Sequence, residues 1–420
     1  TLGAADSASV DVGHTFDVLT RRELILPREE TAFAGTKEYI FKSTMLRDVT
    51  YESILKRQQR NYHFEAGNWL VSAAGGRVND YAAQIAEHFE IAGENVLAAR
   101  YLYQVGEQAQ KVSAYAEALR QFQRGLALVN SQVDAEAKRL QADIYYQLGS
   151  ISVEQGDYTQ ADIHFQDSIR LGRELGNQNQ VADALGGWGN SLSRQGKLDE
   201  AIEVLEEAVI LGREIGNARA LAFALLWLGA SIGFRFQYER AEQVLKEAQV
   251  LAHNSGQLAL EARTLNVLGE NARFQNKYAE ASIYYDAART IYVQIGSQFG
   301  IAIATLNQAH LMAATSDEDT ARKTYSEAIR IGGEIQAMPI VLEALAGLAG
   351  LEAASGKAEY AAELLGLIIA HPACDEDTRK VAKPLLEGLG KQLKPAVVEA
   401  ALERGKKRNL DTVMQQILVT

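Results

Sequence analysis

VADALGGWGNSLSRQGKLDEAIEVLEEAVILGREIGN, residues 181–217, decides the fold of this chain. Val181–Gln195 and Leu198–Ile215 read as two helices on either side of the turn Gly196-Lys197, with Gly216-Asn217 closing the second as a C-cap. Apolar residues in the second helix keep a helical period: Ala201, Ile202, Leu205, Ala208, Val209 and Leu211. The unit recurs. Ala161, Ala201, Ala241, Ala281, Ala321 and Ala361 stand at steps of 40, and Gly149, Gly189, Gly229, Gly269, Ala309 and Ala349 run twelve residues ahead of them. The turn returns as Gly156-Asp157, Asn276-Lys277 and Gly356-Lys357. Neither helix of a unit can bury its apolar stripe alone, so neighbouring units must stack into an α-solenoid.

The small residues fall in a recognisable order. Tyr145, Leu148, Gly149, Ala161, Phe165 and Ser168 form one copy; Trp188-Gly189 with Ala201 and Ala208, and Leu228-Gly229 with Ala241 and Ala248, form others. On these residues the chain resembles the tetratricopeptide repeat family. Gly106 and Ala118 mark an earlier copy, so about seven units occupy residues 96–371. The usual repeat has about 34 residues; these are about six longer, mainly at the end of the second helix, and lack the family's proline there. In that respect they are similar to the repeats of bacterial signal-transduction ATPases and the maltose-regulon activator. The resemblance implies an all-α, right-handed superhelix with a small N-terminal winged-helix-like remnant and a C-terminal helical cap.

Bulk composition agrees with a long helical array. Of 420 residues 47% are apolar, and no proline lies between Pro27 and Pro339. Net charge is −12, although residues 1–62 carry nine basic and nine acidic side chains, so the acidic excess lies in the repeats and tail. Such an array repels phosphate backbones, which argues against nucleic acid as a partner. Cys374 is the only cysteine, excluding an intrachain disulfide framework. No apolar run reaches membrane-spanning length and no signal-peptide pattern opens the chain, so no membrane partner and a cytoplasmic location are expected.

Both ends leave the 40-residue beat. Residues 12–26 read as a short helix, Thr36–Lys42 as a β-strand, and Leu46–Leu55 and Lys56–Ser72 as helices. Arg21–Ile25, Glu38–Lys42, Leu46–Glu52 and Lys56-Arg57 resemble the junction that follows the nucleotide-binding core in bacterial ATPases fused to class III adenylate cyclases. The implied division is a partial winged-helix-like junction over 1–60, connecting helices over 61–95, the solenoid over 96–371 and a cap over 372–420. The start at Thr1 fits a fragment of a longer protein, with the cap formed by helices near 376–391, 395–404 and 409–418.

Nothing in the sequence carries catalysis. Gly350-Leu-Glu-Ala-Ala-Ser-Gly356-Lys357-Ala358 has five residues between its glycines where a phosphate loop has four, and alanine replaces the metal-binding serine or threonine. His371 and Cys374 are one pair beside Pro372, too few for a metal site. His63 and His88 read as packing or solvent-facing residues. No enzyme activity, cofactor or metal is expected.

Binding is the expectation instead. The family exposes the first helix of each unit on the concave face, and its inner positions fall here on Asp183, Asn190, Arg194, Phe223, Leu226, Phe234, Arg263, Asn266, Glu270, Arg273 and His310. Arg263, Asn266, Glu270 and Arg273 are spaced by three, four and three, hence share one helix face. Arginine forks beside an asparagine suit a carboxylate or an extended peptide backbone, and Phe234 adds an apolar wall. Asn190, Arg194, Phe223, Phe234, Arg263, Asn266, Glu270 and Arg273 are thus the candidate ligand or partner contacts. The partner expected is a peptide, a protein segment or a domain of the parent protein, with an attached ATPase or cyclase as the regulated output. A sugar or metabolite sensor and a structural or self-assembly scaffold are the alternatives; Phe223 and Phe234 beside polar donors favour the former. Tyr158, Tyr238 and Tyr278 keep the beat and read as packing.

Overall fold

A computed structural model describes residues 11–29, 31–315 and 317–419. The first ten residues of the expected junction segment, including Thr1, lie outside the described residues. The chain divides into two compact units, one of residues 1–107 and 120–132, the other of residues 108–119 and 133–420.

The first unit opens with α1 (Val12–Arg21), β1 (Ile25–Pro27), β2 (Tyr39–Phe41), α2 (Thr44–Glu52) and α3 (Lys56–Ala74). The helix expected over 12–26 ends five residues early. Glu23 adopts φ 55°, and Ile25-Leu26-Pro27 pairs antiparallel with Tyr39–Phe41, placing Ile25 opposite Phe41. Ile25 is β-branched and Leu26 precedes a proline, and both features favour an extended chain over the last turn of a helix. A 3₁₀ segment over Gly75–Tyr81 leads into α4 (Ala82–Ala92) and then α5 (Asn95–Lys111). Phe33, Leu70, Ala74, Ile85, Phe89 and Ala98 form the core of this unit. His63 does not stand alone: its Nδ1 lies 2.8 Å from Nδ1 of His88, and its Nε2 lies 2.9 Å from the Tyr51 hydroxyl.

From α5 onward helices come in pairs. α6 (Tyr115–Val129) completes the first, followed by α7 (Ala135–Gln155) with α8 (Tyr158–Glu174), α9 (Gln178–Arg194) with α10 (Leu198–Glu214), and α11 (Ala218–Phe234) with α12 (Tyr238–Asn254). Then come α13 (Leu258–Phe274) with α14 (Tyr278–Gln294), α15 (Gln298–Ala314) with α16 (Glu318–Glu334), and α17 (Met338–Ala354) with α18 (Ala358–Ala370). This is an all-α solenoid.

The beat glycines explain the pairing. A Cβ on Gly106, Gly149, Gly189, Gly229 or Gly269 would stand within 3.0 Å of Phe122, Phe165, Leu205, Leu245 or Tyr285 respectively, always the residue sixteen positions on. Each first helix therefore offers a notch to a large side chain of the second, and the helices approach closely. Asn217, assigned above to a C-cap, does something else. Gly216 takes the left-handed conformation that ends α10, while the Asn217 side chain accepts from the Ala220 backbone N–H at 3.0 Å and caps α11. Helices α11 and α17 are buried almost all round, in keeping with sequences apolar on every face.

The tail forms α19 (Glu376–Gln392), α20 (Pro395–Gly405) and α21 (Leu410–Val419). α20 crosses α18 where Gly366 and Gly405 let the backbones meet, and α21 packs on α16 with Met414 against Gly333. α19 packs on α17 and reaches back to α9.

Candidate functional site

Steps of 40 also bring unlike residues to equivalent places on the first helices. Glu154, Arg194, Phe234 and Phe274 share one place; Phe223, Arg263 and Glu343 share another. Solenoid curvature gathers these helices around a cavity of about 50 Å³. Arg194, Trp227, Phe234, Arg263, Asn266, Glu270, Asn307, Glu343, Glu154 and Asp375 are in its wall, with Tyr292 and Phe299 among the apolar residues.

Every polar group in this wall that the sequence analysis singled out is engaged. Arg263 donates to Glu154 at 3.3 Å, from α13 to α7, and its guanidinium lies 5.9 Å from the rings of both Trp227 and Phe299. Asn266 donates to Glu270 at 2.6 Å; Asn307 donates to both, at 2.9 and 3.1 Å. Arg194 donates to Asp375 at 3.0 Å and to Asn190 at 3.2 Å, and lies 5.2 Å from the Trp227 ring. The indole N–H of Trp227 is buried with no acceptor among the described residues.

Three expected contacts stand behind this wall. Phe223 packs edge-on against Trp227, with ring centroids 6.4 Å apart. Arg273 donates to the Tyr285 hydroxyl at 3.3 Å and covers the Phe274 ring. Asn190 backs Arg194. Of the remaining inner positions, Asp183 pairs with Arg219, Leu226 is core, and His310 belongs to a polar chain.

In that chain Tyr325 and His310 Nδ1 lie 2.8 Å apart, and His310 Nε2 lies 2.9 Å from Glu343. Burial, helped by the charge of Arg273, lowers the His310 pKa, so the ring is neutral, accepts the tyrosine proton at Nδ1 and donates from Nε2. Burial opposes the charge of Glu343, but the His310 bond and Arg273 hold its pKa below the ordinary value. Glu270 goes the other way, raised by burial and then by the charge of Glu343. The pKa values of two inner carboxylates are thus pushed in opposite directions. Guanidinium forks, carboxamides, an ionised carboxylate and aromatic rings together suit recognition of a peptide backbone with charged side chains.

Glu154, Trp227, Asn307, Glu343 and Asp375 escaped the sequence reading. Glu343 is 80 residues beyond Arg263 and so was within reach of the beat; Asp375, at the N-cap of α19, carried no such signal. Lys357, in the false phosphate loop, pairs with Glu352 at 2.9 Å. In the tail, burial pushes the Cys374 thiol up to about 11, leaving it an inert thiol. Among the described residues no helix is long and apolar enough to cross a membrane, and no group of three or more His, Cys, Asp or Glu could hold a metal ion.

Residues 140–214 match the tetratricopeptide repeat family, and residues 270–355 match anaphase-promoting complex subunit 5. No curated protein matches the chain. Among solved structures, a Rap protein complexed with competence and sporulation factor is similar, with a TM-score of 0.58 and 13% identity over 86% of this chain and 99% of that one. The Rap conjugation gene regulator of plasmid pLS20, in complex with the Phr* peptide, gives 0.53 and 13% over 73% and 77%. NprR in complex with its cognate peptide NprX gives 0.52 and 15% over 79% and 97%. At these identities the likeness is one of fold.

Proposed function

We propose that this tetratricopeptide-repeat chain is a non-catalytic sensor that binds a peptide or protein segment on the inner face of its solenoid. The observation that carries the reading is the wall built by Arg194, Arg263, Asn266, Asn307, Glu270 and Glu343 around Trp227. A scaffold has no need of such a set, because each buried charge and amide costs desolvation that an apolar core avoids. Two structural neighbours solved with bound peptides support the same reading. Arg194, Phe234, Arg263, Asn266 and Glu270 make the direct contacts; Asn190, Phe223 and Arg273 hold them in position. The junction-like run Glu38–Lys42 supports an attached ATPase or nucleotide cyclase as the output, with parent domains as further partners and a cytoplasmic setting.

The test is peptide display on the purified chain, followed by isotherms of the enriched sequences. Wild-type protein is expected to enrich a family of peptides at micromolar affinity, and Arg263→Glu to weaken them at least tenfold, since it sets a carboxylate against Glu154 and the ligand. No enrichment, or enrichment indifferent to Arg263, contradicts the reading.

A further inference from the structure

The first turns of α19 do more than cap an array. Asp375 has a side chain only 2% exposed and is bound on two sides. One oxygen takes Arg194 at 3.0 Å and the Tyr158 hydroxyl at 3.4 Å. The other accepts from the backbone N–H and the hydroxyl of Thr378, capping the helix. Five residues on, the ammonium of Lys380 lies 3.9 Å from the ring centre of Phe234, 4.8 Å from Phe274 and 5.7 Å from Phe236. Three rings around one ammonium form an aromatic cage.

The cage is built against the grain of the repeat. Phe234 and Phe274 stand where neighbouring units carry Glu154, Arg194 and Ala314. Phe236 occupies the turn position held elsewhere by Gly156, Gly196, Asn276 and Gly356, at φ 61° and with 71% of its surface exposed. A bulky residue in the left-handed region is strained, and such strain persists where function holds it.

Closure of the last repeat is accounted for without this segment. α20 and α21 cover α18 and α16, while Ala382 and Leu389, farther along α19, join the apolar core with α17. Asp375 and Lys380 instead touch the inner face through charge and rings. Because Asp375 is in the cavity wall and occupies Arg194, a ligand carboxylate reaches that guanidinium only by displacing this segment.

We infer that Asp375–Lys380 is an internal stand-in for the ligand, and that the ligand is a peptide with a carboxylate placed for Arg194 and a lysine or arginine placed for the phenylalanine cage. Helical rise sets the two groups about 7.5 Å apart along the axis. This rests on the peptide-binding reading above and narrows it to a class of sequence. Binding and release of the tail are then one competition, in which the peptide gains the contacts that α19 gives up.

The test uses the full chain with Asp375→Asn and Lys380→Met. Asparagine keeps the helix cap and methionine the stem, while both charges vanish. The probe is a labelled peptide copying residues 371–383, with Cys374→Ser. The double variant is expected to bind it at tens of micromolar and wild-type protein at least tenfold more weakly. A probe that also carries the Asp375→Asn and Lys380→Met changes is expected to bind neither. Should the double variant lose its helical signal, single Lys380→Met carries the same comparison, with Lys380→Arg behaving as wild type. Equal binding by wild type and variant overturns the inference, as does equal binding of the altered probe. So does a folded variant that releases residues 371–380 to hydrogen exchange yet binds no probe. The broader peptide-binding reading falls only if display on the inner face also fails.

Discussion

Valine in place of Gly269 is expected to cost the array about 3 kcal/mol, lowering its melting temperature by roughly 5–10 °C. The added Cβ would stand 2.5 Å from the Tyr285 ring. That ring cannot swing aside, because it is fully buried and its hydroxyl accepts from Arg273. α13 and α14 must therefore separate, and the polar wall carried by α13 moves with them. Gly256→Ala is the control. Gly256 has φ 67° with open space around its Cβ position, so only the left-handed backbone is penalised, at about 1 kcal/mol. Calorimetry on both variants separates close packing from backbone freedom, and similar losses would refute the notch-and-knob account of the repeat.

The second large effect is electrostatic. Arg194→Met is expected to lose about 3 kcal/mol, because it leaves the buried Asp375 carboxylate without its cation. Asp375→Asn costs less, since Arg194 is 17% exposed and still meets Asn190 and the Trp227 face. The double variant is expected to recover part of the Arg194→Met loss, as an amide tolerates an apolar neighbour better than a carboxylate does. Urea titration of the four proteins closes the cycle. Additive losses would mean that the pair holds nothing together.

What the sequence disclosed follows from what periodicity can carry. Gly189, Ala201 and their copies repeat because packing repeats, so the solenoid and its turns were legible from spacing. Arg194, Arg263, Asn266 and Glu270 were legible as residues that vary at a fixed inner position. Glu343 was equally open, standing two repeats beyond Arg263 at the same inner position. Asp375 and Lys380 were not legible. They lie outside the beat, and their partners Arg194 and Phe234 are 181 and 146 positions away, joined only when the array curves. Nor did spacing show that the Arg263 face turns inward upon Glu154 and loses most of its solvent.

Hydrogen exchange of the wild-type chain, with and without a saturating display-selected peptide, tests the central claim most directly. Binding on the inner face is expected to slow exchange in α11 and α13 and at the same time to speed it over residues 371–380, as the peptide takes the place of Asp375 and Lys380. A peptide that binds while both regions exchange as before would contradict the account.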